Sequence, residues 1–181
     1  KGAFWQCDSG KLQMGIPDTN ATTLYYSYTN MPSSGTVTLE GIPHTVKGKA
    51  WFDKQGGTYP LIKPECMWEW FSLRFFDDEE MMLFTFPQDG YVDGTYIRAD
   101  RTSQRLNRYI VTPKKFTAAG GYMFSCEWEV ELPGLKDRHY LIRPLTDGQL
   151  NLVYFELLAG IYGDSGKLAG YCVAELLPGA Y

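Results

Sequence analysis

From Tyr122 to Leu132 the side chains alternate in character. Tyr122, Phe124, Cys126, Trp128, Val130 and Leu132 fall on one face, and Ser125, Glu127, Glu129 and Glu131 on the other, with Met123 the exception. Successive side chains of an extended strand point to opposite sides, so this segment predicts a half-buried β-strand. The same rhythm marks Tyr25–Thr29, Gly35–Glu40, His44–Asp53, Trp68–Phe76, Glu80–Phe86, Gly94–Arg98, Arg108–Thr112, Tyr140–Arg143, Asn151–Leu157 and Leu168–Leu176. Turn-forming residues punctuate the intervals, as in Met31-Pro32-Ser33-Ser34-Gly35, Pro87-Gln88-Asp89-Gly90, Thr146-Asp147-Gly148 and Gly163-Asp164-Ser165-Gly166. No stretch of ten or more residues carries a helical stripe, and only Lys11–Met14 and Asp100–Arg105 are left open to a short helix. Short strands at this spacing predict an all-β sandwich or barrel.

A chain of 181 residues buries roughly 70% of its unfolded surface and forms a core without staples. The segment Tyr59-Pro60-Leu61-Ile62-Lys63-Pro64 breaks the strand rhythm and predicts a boundary. Residues 1-62 then hold about three strands, too few for a stable lobe unless something completes them. Residues 63-181 hold about eight strands, the content of one small barrel.

The formal net charge is −4, which disfavours a broad basic face for nucleic acid. No apolar run reaches the roughly 18 residues of a membrane span. The opening Lys1-Gly2-Ala3-Phe4-Trp5-Gln6-Cys7 has neither an initiator Met nor an apolar signal core, as expected of a chain whose start has been trimmed. Cytoplasmic and secreted locations both stay open. Cys7, Cys66, Cys126 and Cys172 form no C-x-x-C pair and read as free buried thiols. Asn20-Ala21-Thr22 fits the glycosylation triplet.

Several chemistries lack their residues. There is no G-x-S-x-G elbow, no H-E-x-x-H, no phosphate-cradling glycine loop, and the two histidines, His44 and His139, have no metal-ligand spacing around them. Both read as exposed rather than catalytic. Asp77-Asp78-Glu79-Glu80 reads as a solvated hairpin tip, because adjacent acids alternate in direction and calcium needs ligands spread over a longer loop. No metal and no cofactor is called for.

What remains is aromatic density around a few polar groups. Trp68, Trp70, Ser72 and Arg74 share one strand face, and Phe71, Leu73 and Phe75 the other. A face carrying two Trp should be covered by a second layer or a ligand. Asp53 sits two residues after Trp51, on the same face. Either it is a surface carboxylate paired with Lys47 or Lys49, which composition alone favours, or it is walled by Trp51, Tyr25, Tyr26 or Tyr28. In the second case desolvation raises its pKa and fits it to deliver a proton near neutral pH.

Tyr25-Tyr26-Ser27-Tyr28-Thr29-Asn30-Met31 with Ser34-Gly35 resembles the Y-Y-S-x-T-R-M…S-G stretch of AttH/CrtC-type lipocalin-like proteins. Val46 to Gly57 resembles their V-x-G-x-A-W-F-D-x-Q-W-G signature, and Trp68 to Leu73 their W-x-W-F-x-L. Asp77-Asp78 through Leu83, Tyr154-Phe155-Glu156, and Gly170-Tyr171 with Glu175-Leu176 are similar to later elements, in family order. The family Arg before the Met is Asn30 here, and the Trp after the Gln is Gly56.

The resemblance implies a lipocalin-like antiparallel β-barrel, with extra strands from the end of a preceding β-lobe. That missing lobe or a second copy would be a partner. It implies an apolar small-molecule ligand and, in the hydratase branch, protonation of a C=C bond in an isoprenoid-like substrate. Trp51-Phe52-Asp53 matches the aromatic-x-Asp of that branch, making Asp53 the expected proton donor. The histidine partner of that branch would fall within Leu24–Tyr28, where this chain has none. The expected substrate wall is Tyr26, Tyr28, Trp51, Trp68, Trp70 and Arg74, around an aromatic hollow of the barrel. The competing expectation is a non-catalytic binder of a hydrophobic ligand or a carbohydrate, the latter marked by a flat row of exposed rings.

Overall fold

The computed structural model describes residues 2–15, 21–58, 67–135 and 138–177. All the regular structure within them is strand, and every pairing is antiparallel. A four-stranded sheet comprises β1 (Phe4–Trp5), β2 (Lys11–Gln13), β3 (Thr22–Leu39) and β4 (Ile42–Thr58). A ten-stranded sheet comprises β5 (Glu69–Phe75), β6 (Glu80–Phe86), β7 (Tyr91–Ile97), β8 (Ser103–Leu106), β9 (Ile110–Ala119), β10 (Tyr122–Leu132), β11 (Arg138–Pro144), β12 (Gln149–Asn151), β13 (Tyr154–Tyr162) and β14 (Leu168–Leu176). Of the two segments left open to helix, Lys11–Gln13 is strand β2, and the second is a turn that leads into strand β8. The boundary expected at Pro60–Pro64, together with Asn20 and Cys66, lies outside the described residues. Cys7, Cys126 and Cys172 are free thiols.

The two strands expected at Tyr25–Thr29 and Gly35–Glu40 are one strand, β3, running through the segment read as a turn. Pro32 is accommodated because β1 and β2 pair only with residues 22–27, so beyond them β3 is bonded on one side alone. Leu39 pairs with Ile42, and Glu40 and Gly41 between them both have positive φ. That is the two-residue turn whose twist matches a hairpin. The same geometry closes β9 onto β10 at Gly120-Gly121. The outer half of the β3–β4 hairpin is exposed along both strands.

In the larger sheet the strand order is β8-β7-β6-β5-β14-β13-β11-β10-β9. Its end strands β8 and β9 are neighbours in sequence, so the sheet must curl to bring them together. They do not pair among the described residues, and the lipocalin-like sheet is open rather than a closed ring. Tyr109, in the link between them, turns inward instead and donates its hydroxyl to the Phe84 and Asp93 carbonyls of β6 and β7.

The inside of the curl is filled. Phe71, Leu73, Phe124, Trp128, Phe155, Ile161 and Ala174 are buried there, with Phe71 on Trp128 at 5.1 Å and Phe124 stacked on Phe155 at 4.7 Å. The hollow expected inside the barrel is therefore occupied by side chains. A second core lies between the sheets. It joins Trp68, Trp70, Met82, Phe84 and Phe86 to Leu12, Met14 and Tyr25 of the small sheet. The odd-even split of β5 decides this arrangement: Phe71, Leu73 and Phe75 enter the first core, while Trp70 faces the small sheet.

Candidate functional site

The cleft between the sheets opens where β4 faces β5 and β14. It is about 430 Å³ in volume, and Trp51, Asp53, Trp70, Ser72, Arg74 and Glu175 are among its lining residues. Four of the expected site residues, Asp53, Trp51, Trp70 and Arg74, are thus brought together. The Trp51 and Trp70 rings meet edge to face at 6.1 Å.

Asp53 stands opposite Ser27 in the β3–β4 ladder. Its Oδ1 accepts hydrogen bonds from Ser27 Oγ and, at 2.8 Å, from Trp51 Nε1. Ser27 is held in turn by Gln6 Nε2 at 2.7 Å. Tyr25 also hydrogen-bonds the carboxyl, and its hydroxyl accepts from Trp70 Nε1 at 3.0 Å. Burial raises the Asp53 pKa above its ordinary value, while the bonds from Ser27, Trp51 and Tyr25 and the nearby charge of Arg74 pull it back. Asp53 is half-buried, and Lys49, a partner expected if it were a surface carboxylate, pairs with Asp78 at 2.7 Å instead.

Arg74 donates to the Lys49 carbonyl at 2.6 Å and lies over the Trp51 ring at 5.5 Å. It therefore bridges the two sheets above the cleft. Burial lowers its pKa, against the opposing charges of Glu80 and Asp53.

Sequence reasoning missed Glu175. In β14, Cys172, Ala174 and Leu176 point into the filled core, so Glu175 falls on the other face, directly across from Trp70 and from Glu156. Burial first, and then the charges of Glu156 and Asp53, push its pKa up to about 7, against one hydrogen bond from Trp68. Its position follows from the register of β14 on β5, which no local pattern reveals.

Three expected wall residues take other places. Tyr26 and Tyr28 have the opposite parity to Tyr25 and Ser27, and point to the far face of the small sheet. There Trp5, Tyr26, Tyr28 and Phe52 follow one another at 5.5, 6.1 and 6.3 Å. Their planes are inclined at 68°, 82° and 50°, so they offer no flat platform to a sugar. Trp68 lies in the inter-sheet core against Phe84 and Tyr154, and touches the site through its hydrogen bond to Glu175.

The acidic run divides. Asp77 and Asp78 are the exposed hairpin tip, but Glu80 is buried, accepting from Thr29 at 2.5 Å and Arg101 at 2.8 Å. His139 bridges Glu129 and Asp164, and His44 is on the exposed arm, both remote from the cleft.

The sequence profile of the AttH-like family matches residues 1–177. A crystal structure of an AttH protein from Nitrosomonas europaea superimposes with a TM-score of 0.82 at 22% identity, over 97% of this chain and 58% of that one. Kievitone hydratase from Nectria haematococca superimposes with a TM-score of 0.76 at 19% identity, over 98% of this chain and 58% of that one. The chain therefore spans under two thirds of either protein, and at these identities the likeness shows the fold alone. No curated protein matches the chain at a significant level.

Proposed function

This chain belongs to the AttH-like family, and from that premise we propose that it binds an apolar, isoprenoid-like small molecule between its sheets and adds water across a C=C bond. The observation that carries the reading is the pairing of two sheltered carboxyls, Asp53 and Glu175, with two indole rings in one cleft. The name of one structural neighbour, kievitone hydratase, points the same way.

The surroundings of the carboxyls decide their roles. Three hydrogen-bond donors and a guanidinium stabilise the charged form of Asp53. Glu175 has one donor and two like charges beside it. The proton therefore resides on Glu175, whose pKa near neutrality suits a general acid. Asp53, taken from the sequence as the donor, becomes the base.

Glu175 gives its proton to one alkene carbon, and the π electrons form the new C–H bond. The cation left on the other carbon faces the Trp51 and Trp70 rings, an attraction worth about 2 kcal/mol in a desolvated site. Water forms the C–O bond and passes a proton to the Asp53 carboxylate. That proton returns to Glu175 through the open mouth of the cleft.

The test is conversion of farnesene in oxygen-labelled water, with the product analysed by mass spectrometry. Label should enter an alcohol product with the parent chain, and should be lost in Asp53→Asn and Glu175→Gln. Label incorporation that survives both substitutions would remove the carboxyl pair from the chemistry.

A further inference from the structure

A second hollow, about 460 Å³, is lined by Asn30, Phe75, Phe76, Glu80 and others, and shares Lys49, Arg74 and Tyr171 with the cleft. Asn30 is unusual within it. The residue is 7% exposed, yet its Oδ1 has no hydrogen-bond partner. A buried amide left unpaired is costly and calls for an explanation.

The backbone goes out of its way to put Asn30 there. Along β3 burial alternates as far as the exposed Tyr28, and then Thr29 and Asn30 are both buried. The ladder runs from Tyr28↔Phe52 to Met31↔Ala50, so two residues of β3 oppose Trp51 alone. This is a β-bulge, and bulges re-aim side chains. Thr29 uses the change of phase to bond Glu80. The Asn30 Oδ1 gains no partner from it within the protein.

The acids and the lysine of the hollow are already paired, Lys49 with Asp78 and Glu80 with Arg101, while Arg74 spends a donor on the Lys49 carbonyl and feels the charges of Glu80 and Asp53. The hollow therefore suits a neutral polar group set among rings. A hydroxyl fits either edge of the amide, since it both donates and accepts. Asn30 lies three residues from Ser27, the ladder partner of Asp53, with the bulge between them.

We propose that Asn30 is a specificity residue that takes the hydroxyl of an otherwise apolar substrate, in the hollow that adjoins the cleft across Lys49, Arg74 and Tyr171. This rests on the reading of the cleft given above, so the test reads binding rather than turnover.

Farnesol and farnesene, an alcohol and a hydrocarbon of the same chain length, are titrated into the protein, and quenching of tryptophan fluorescence gives each Kd. The wild type should prefer farnesol by about 3- to 10-fold, the worth of one hydrogen bond. Asn30→Leu should weaken farnesol to the level of farnesene and leave farnesene unchanged. Its urea midpoint should be equal or higher, because the buried Oδ1 has no protein partner to lose. Asp53→Asn should keep the preference. Equal preference in wild type and Asn30→Leu, or none in the wild type, overturns the hydroxyl assignment and leaves the apolar cleft standing. Failure of both probes to bind the wild type overturns the cleft reading and this assignment with it.

Discussion

Removing the Glu175 carboxyl should flatten the pH dependence of folding. In the folded chain its pKa lies at about 7, against an ordinary value of 4.5, chiefly through burial. An acid whose pKa is raised on folding binds its proton more tightly in the native state. Its contribution is therefore fully present below the unfolded value near 4.5 and is lost as pH rises through about 7. At about 1.4 kcal/mol per pH unit of difference, the loss comes to about 3 kcal/mol. Glu175 keeps partial contact with water, and solvent screening trims this to about 2 kcal/mol.

Glu175→Gln keeps the shape and never ionises. Urea denaturation of both proteins between pH 5 and 8.5 isolates the effect, because every other titrating group is common to the pair. With an m-value of about 2 kcal/mol/M, the midpoint of the wild type should fall by about 1 M relative to the variant across that range. The constant cost or gain of the amide itself cancels in the difference. Two midpoint curves that stay parallel would show that Glu175 titrates as an ordinary surface acid, and the burial argument for its role would fail.

The same proton governs catalysis, so hydration by the wild type should decline as pH rises through about 7, read from the initial rate of label incorporation. Trp128→Ala empties the largest fully buried side chain of the filled core and should cost about 3 to 5 kcal/mol in urea denaturation, without altering the farnesol preference below the unfolding transition. Tyr25→Phe takes one donor from Asp53 and the acceptor from Trp70 Nε1. It should cost about 1 to 3 kcal/mol by the same assay, and carbon-detected NMR of Asp53 should show its titration moved to higher pH.

The sequence made the strands legible where one face is wet, because the alternation of β10 is written in Trp128 and Val130 against Glu127 and Glu129. It also carried the segregation of β5, since Phe71 and Leu73 differ in phase from Trp70 and Arg74. It misled at Met31–Gly35, where Pro and Ser imitate a turn but lie on a strand with a free edge. Tyr26 and Tyr28 were drawn into the site because composition records that rings are present, not which side they take. One residue of parity separates them from Tyr25 and Ser27, which do reach Asp53. Glu175 was hidden for another reason. It enters the cleft through its pairing with Trp70, a contact between residues far apart in the chain.

The division of labour on β5 and β14 has a consequence for how such a site changes. Residues pointing into the filled curl, such as Phe71, Leu73, Cys172 and Ala174, are fully enclosed, so any change of volume there is felt in stability. Their neighbours Trp70, Ser72, Arg74, Val173 and Glu175 line an open cleft between two sheets. Substitutions on that second face alter what the cleft accepts while the first face keeps the sheet intact. The bulge at Thr29 and Asn30 extends this freedom to β3. By shifting phase at one point, it places a polar side chain beside the cleft without moving the ladder that holds Ser27 against Asp53. On the proposed reading, the carboxyl pair is carried by β4 and β14 and the ligand contact by the bulge of β3, so each is free to vary without dismantling the other.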